Sequence, residues 1–138
     1  MKSLATLIKL QKTRVDEQRL MLAKLQAQLE EIQKRIAELE IRKAREQIVA
    51  QEHNEARTTY GAFLKEAVKV GRELDKQRQI AEAAIEASRL KLIELFEEQK
   101  RYEIAQTARL AAEEKEERHR ETVELDEIGG VTYTRQKK

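Results

Sequence analysis

His53 and His119 are the only two histidines, and cysteine is absent. Imidazole is the side chain best suited to proton transfer or metal binding near neutral pH. The two histidines are 66 residues apart, however, and neither has the other at a ligand spacing. The carboxylate pairs Glu30 with Glu31 and Glu97 with Glu98 are adjacent in sequence and diverge by about 100° on a helix, which suits solvation and not a general acid and base facing one substrate. No glycine-rich phosphate loop occurs. The chemistry the sequence offers is therefore recognition by apolar and charged surface: no catalytic, cofactor or metal residues are expected, and no enzymatic activity.

Composition points the same way. Of 138 residues, 39% are charged and only 4% aromatic, too little bulky apolar material for a thick core. Proline is absent and glycine occurs only at Gly61, Gly71, Gly129 and Gly130, so long helices are the expectation. The longest uncharged runs, Thr58 to Leu64 and Ile128 to Thr134, are seven residues each, far shorter than the ~20 apolar residues of a spanning helix, and the opening "MKSLATLIKLQKTR" is too interrupted by lysine for a secretory leader. A membrane-surface helix over residues 2–14 stays as a minor alternative. The absence of cysteine fits a reducing compartment, and a cytoplasmic location is expected. Basic residues are spread among acids with no aromatic platform, so no nucleic-acid partner is expected, and a thin rod offers no small-molecule pocket.

The positioning elements are written in the periodicity. Leu4, Ile8, Gln11, Val15, Gln18, Leu22, Leu25, Leu29, Ile32, Ile36 and Leu39 alternate at spacings of four and three, the seam of a coiled coil. The register continues through Lys43, Glu46 and Ala50. Asn54, Thr58, Thr59 and Gly61 gather in the next turn signal, "HNEARTTYGAF", and place a reversal near Arg57. The expected fold is all-α: an antiparallel coiled-coil hairpin over 1–128, rod-like, with helix one about 3–55, a turn about 54–60 and helix two about 60–128. Facing residues should then have numbers adding to about 114, which sets Leu39 against Leu74, Leu29 against Ile85, Leu22 against Leu92, and Gln18 against Phe96. The same rule sets Gln11 near Tyr102 and Gly71 near Lys43. Helix two should overhang by about ten to fifteen residues, and the paired glycines should end it, leaving 129–138 as a flexible basic tail.

Surface remains that such a hairpin does not need for itself. Leu4, Leu7, Ile8 and Leu10 surround the first helix, interleaved with Lys9, Lys12 and Arg14, while Tyr60, Phe63 and Leu64 cluster beside the turn. Outward-facing Leu20, Ile41, Leu90 and Ile104 also leave room for two hairpins to associate.

The stretches "LATLIKLQKTRVDEQR" (Leu4 to Arg19), "YGAFL" (Tyr60 to Leu64), "FEEQKRYEIAQTAR" (Phe96 to Arg109) and "ELDEIG" (Glu124 to Gly129) together resemble FliJ, the coiled-coil protein of the bacterial flagellar type III export apparatus. The resemblance implies a non-enzymatic, stalk-like rod that binds the export ATPase ring and contacts the export-gate protein FlhA. Escort of export chaperones is a further role the resemblance implies, with association with the membrane only through protein partners. Carried onto this sequence, Leu4, Leu7, Ile8, Lys9, Leu10, Lys12 and Arg14, with Leu125 and Ile128, would form the ring-facing end. Tyr60, Phe63 and Leu64 would face the gate. A generic coiled-coil tether and the equivalent stalk protein of a virulence secretion system remain as alternatives.

Overall fold

A computed structural model describes residues 3–137, with side chains described for 3–130. It contains two helices, α1 (Leu4–Glu52) and α2 (Asn54–Lys137), and no strand among the described residues. Contacts divide the chain into two units: residues 14–94, and residues 1–13 together with 95–138.

The unit of residues 14–94 is an antiparallel hairpin, and its reversal falls at His53, the one residue between the helices. The His53 amide still donates to the Val49 carbonyl, and the Ala56 amide to the His53 carbonyl, so helical hydrogen bonding almost runs through the bend. Arg57 donates Nε–H to the carbonyl of Ala50, satisfying one of the acceptors that a helix C-terminus leaves open and placing a cation at its negative end. The sequence placed the reversal near Arg57, where threonine and glycine gather. The structure instead turns at His53 and runs Thr58, Thr59 and Gly61 on as helix, with the Thr59 hydroxyl bonded back to the Ala56 carbonyl.

Moving the turn by four residues moves the register by eight. Gln18 donates to the Ser88 hydroxyl at 2.7 Å, a pair whose numbers add to 106, not to the 114 expected. Phe96 therefore does not oppose Gln18; it lies at the edge of α2, 38% exposed, while Leu95 takes the core position. Gly71 lies beside Leu39 and not Lys43: a methyl built on it would meet Leu39 Cδ2 at 3.6 Å.

The α1 seam matches the sequence pattern. From Val15 to Ala50 every member of the stripe is buried or half-buried, including Lys43 and Glu46. Opposite it, Ala67, Leu74, Ala81 and Ser88 recur at steps of seven and are buried with Ile85. Small residues at alternate positions let the two backbones approach closely, and the larger Leu74 and Ile85 fill the layers between them.

In the other unit, Ser3 caps α1 by accepting the Thr6 amide on its hydroxyl and the Leu7 amide on its carbonyl. Ile8, Gln11 and Leu95 form its small core. Along α2 the seam passes through half-buried Gln99, Tyr102 and Gln106 and then stops: every residue from Thr107 to Gly130 is exposed. The exposed single-helix segment is thus longer than the ten to fifteen residues expected. The paired glycines do not end it either, since α2 runs to Lys137. A glycine stop needs a left-handed residue and a capping contact. Neither Gly129 nor Gly130 has positive φ, so both simply weaken a continuing helix. The basic side chains of the tail, Arg135, Lys137 and Lys138, lie outside the residues whose side chains are described.

Candidate functional site

Three places carry the side chains singled out by sequence. In the unit containing the N-terminus, Leu4, Leu7 and Leu10 are half-buried, Ile8 is buried, and Lys9, Lys12 and Arg14 are exposed. Leu10 does not stand out from the helix pair as the heptad register suggests, so the apolar surface here is narrower than four free aliphatic side chains. Leu125 and Ile128 are free, at 67% and 63% exposed, on the single-helix part of α2.

A polar cluster that the heptad reading only brushed against holds this unit in register. Gln11, 1% exposed, donates its amide to the Leu95 carbonyl at 3.0 Å and to Glu98 at 3.2 Å, and the Tyr102 hydroxyl donates to the other oxygen of the same carboxylate at 2.8 Å. Sequence reasoning set Gln11 near Tyr102, and Glu98 is the group that joins them. Every buried side-chain nitrogen and oxygen among the described residues has a partner. Satisfied polar groups of this kind fix the register of a helix pair at some cost in stability.

Beside the turn, Tyr60 and Phe63 are half-buried and stacked, with centroids 6.4 Å apart, and the Arg42 guanidinium lies 5.1 Å from the Phe63 ring centre. This cation–π contact joins α1 to α2, so the ring pair helps to clamp the tip. Leu64 faces outward at 38% exposure. The signal for Arg42 was a cation outside the seam, indistinguishable in sequence from the many solvated arginines.

Charged side chains on α2 pair along the helix at spacings of three and four. Arg78 is held between Asp75 and Glu82, whose hydrogen bonds and charges raise its pKa above the ordinary arginine value, the Asp75 bond contributing most. Beyond Gln106, Arg109 pairs with Glu113, Arg118 with Glu114 and Arg120 with Glu116. Among the described residues no group of three or more His, Asp or Glu could hold a metal ion, and no helix is long and apolar enough to cross a membrane. The concavities are open grooves on helix surfaces, such as the one lined by Ile104, Thr107, Ala108 and Ala111. Such an arrangement offers faces for protein partners.

Comparison with known proteins agrees with that chemistry. The family model described as flagellar FliJ protein matches residues 1–138, the whole chain. No curated protein and no solved structure matches.

Proposed function

The chain belongs to the FliJ family, and is thus a coiled-coil component of the flagellar type III export apparatus; from that premise we propose that it acts as a stalk-like rod whose helix termini bind the export ATPase ring. In this reading Leu4, Leu7, Ile8, Lys9, Leu10, Lys12 and Arg14 of α1 and Leu125 and Ile128 of α2 make the ring contact. Tyr60, Phe63 and Leu64 at the turn meet the gate protein FlhA. Escort of export chaperones would use the remaining helix faces. The protein works in the cytoplasm, peripheral to the membrane apparatus, and turns over no substrate of its own.

The observation that carries the reading is the single-helix segment of α2. From Thr107 to Gly129 every residue is exposed, and the segment keeps large aliphatic side chains in solvent, among them Leu125 and Ile128. A helix held by its own ion pairs and left with exposed apolar anchors suits insertion between other subunits. Coupling then follows by differential binding: an asymmetric helix end that contacts ring subunits unequally biases their states by the difference in its contact energies.

The decisive experiment measures the ATPase rate of the cognate export ATPase with the full chain, with a chain lacking residues 1–14, and with Leu125→Glu/Ile128→Glu. Stimulation by the full chain and its loss in both variants, with helicity retained, is the expected result. Undiminished stimulation by Leu125→Glu/Ile128→Glu would remove these residues from the ring contact. No stimulation by the full chain would leave a coiled-coil tether within the export apparatus.

A further inference from the structure

Two stretches of α2 carry opposite charge on a single face at the same heptad spacing. Lys65, Lys69, Arg72 and Lys76 follow one another at steps of four, three and four, and fall within about 60° of one another around the helix axis. They point away from the seam residues Ala67 and Leu74, are all exposed, and make no ion pair among the described residues. A groove of about 670 Å³ runs between them and exposed Leu64 and Val68, and Glu73 is the only acid on its walls. On the single-helix segment, Glu117, Glu121, Glu124 and Ile128 follow one another at the same steps of four, three and four. These three glutamates are also exposed and unpaired among the described residues, unlike Glu113, Glu114 and Glu116, which are taken up by neighbouring arginines.

Laid antiparallel, the two rows match. Lys76 meets Glu117, Arg72 meets Glu121 and Lys69 meets Glu124, each pair adding to 193; the same register sets Leu110 against the small Ala83 and Ile128 against the methylene stem of Lys65. A continuous helix cannot bring two of its own stretches together, so the match requires a second chain. We propose that the basic face at Lys65–Lys76 binds the acidic single-helix segment at Glu117–Ile128 of a second copy of this protein.

The spacing carries the inference. Solvated charge on a long helix has no need to repeat a heptad on the side facing away from its partner, and still less to do so with opposite sign at two places in one register. Each pair alone is a surface ion pair of little value. Three in register, bracketed by aliphatic contacts at both ends, give a weak and salt-sensitive association whose specificity comes from charge order.

Sedimentation velocity of the full chain at low and high salt (about 50 and 500 mM) reads this directly. The expected result is concentration-dependent self-association at low salt that is lost at high salt. Lys69→Glu/Arg72→Glu and Glu121→Lys/Glu124→Lys should each be monomeric at low salt, with at least a roughly tenfold rise in dissociation constant. An equimolar mixture of the two should associate again, because each supplies the face that the other now needs. Circular dichroism checks that both variants keep their helicity, and the neutral Lys69→Gln/Arg72→Gln replaces the reversal should it unfold. A wild-type chain that is monomeric at both salts, variants that associate like wild type, or a mixture that stays monomeric would each overturn the proposal.

Discussion

The hairpin of residues 14–94 and the single-helix stretch from Thr107 to Gly130 obey one heptad register and use it for opposite ends. In the hairpin, the α2 positions of that register are Ala67, Leu74, Ala81, Ile85 and Ser88, all buried. Carried past Leu95, Gln99, Tyr102 and Gln106, the same alternation of four and three reaches Arg109, Glu113, Glu116 and Arg120, all exposed. Two ion pairs, Arg109 with Glu113 and Arg120 with Glu116, lie along that line. The seam is thus replaced by charge beyond the start of α1, and apolar residues such as Leu110 and Ile128 lie on other faces. Helix in the hairpin is held by packing; helix beyond Gln106 is held by propensity and by i,i+4 pairs worth about 0.2–0.5 kcal/mol each.

Substitutions should separate the two regimes. Ile85→Ala empties a buried seam position and should lower hairpin stability by ~2–4 kcal/mol in urea unfolding, whereas Leu110→Ala, an exposed change toward the best helix former, should move it by less than about 0.5 kcal/mol. Equal losses at the two sites would mean that the single helix is packed in solution. Next in size, Gln11→Ala leaves Glu98 and the Leu95 carbonyl without their buried donor and should cost ~1–2 kcal/mol, measurable as a lower thermal midpoint. The most local effect sharpens the contrast in the single helix itself: Gly129→Ala should stabilise it by about 1 kcal/mol and slow amide exchange there, with the hairpin's exchange unchanged. Faster exchange after this change would show that Gly129 serves as a turn.

The α1 seam was legible in sequence because every one of its members, from Leu4 to Ala50, obeys a single period. The reversal was not, because its signals compete: Thr58, Thr59 and Gly61 have the composition of a turn, while His53 and Asn54 carry it out. A helix terminus is a local choice worth about 1 kcal/mol, and closer packing of Ala67, Ala81 and Ser88 against α1 outweighs it. That error of four residues propagated to every facing pair and displaced Phe96 from the core. At the candidate sites, residue type located Tyr60, Phe63 and Leu64. Only three-dimensional structure separates the stacked pair that clamps the tip under Arg42 from the leucine left in solvent. The termini follow the same rule: sequence picked out Leu7 and Leu10 as surplus, and packing partly buries both.

A reversal of one residue also governs how the chain can fold. Arg57 and Ala50 are seven residues apart, and Gln18 and Ser88 are seventy. Closing a seventy-residue loop from the unfolded chain is slow and entropically unfavourable. Once the bend at His53 exists, each layer of the hairpin forms beside one already made, so no closure of that size is ever required. The rate of such a zipper is set where it starts. During synthesis nothing can pair until residues beyond Asn54 have left the ribosome, and from then on the hairpin of residues 14–94 can assemble outward, layer by layer, as α2 emerges.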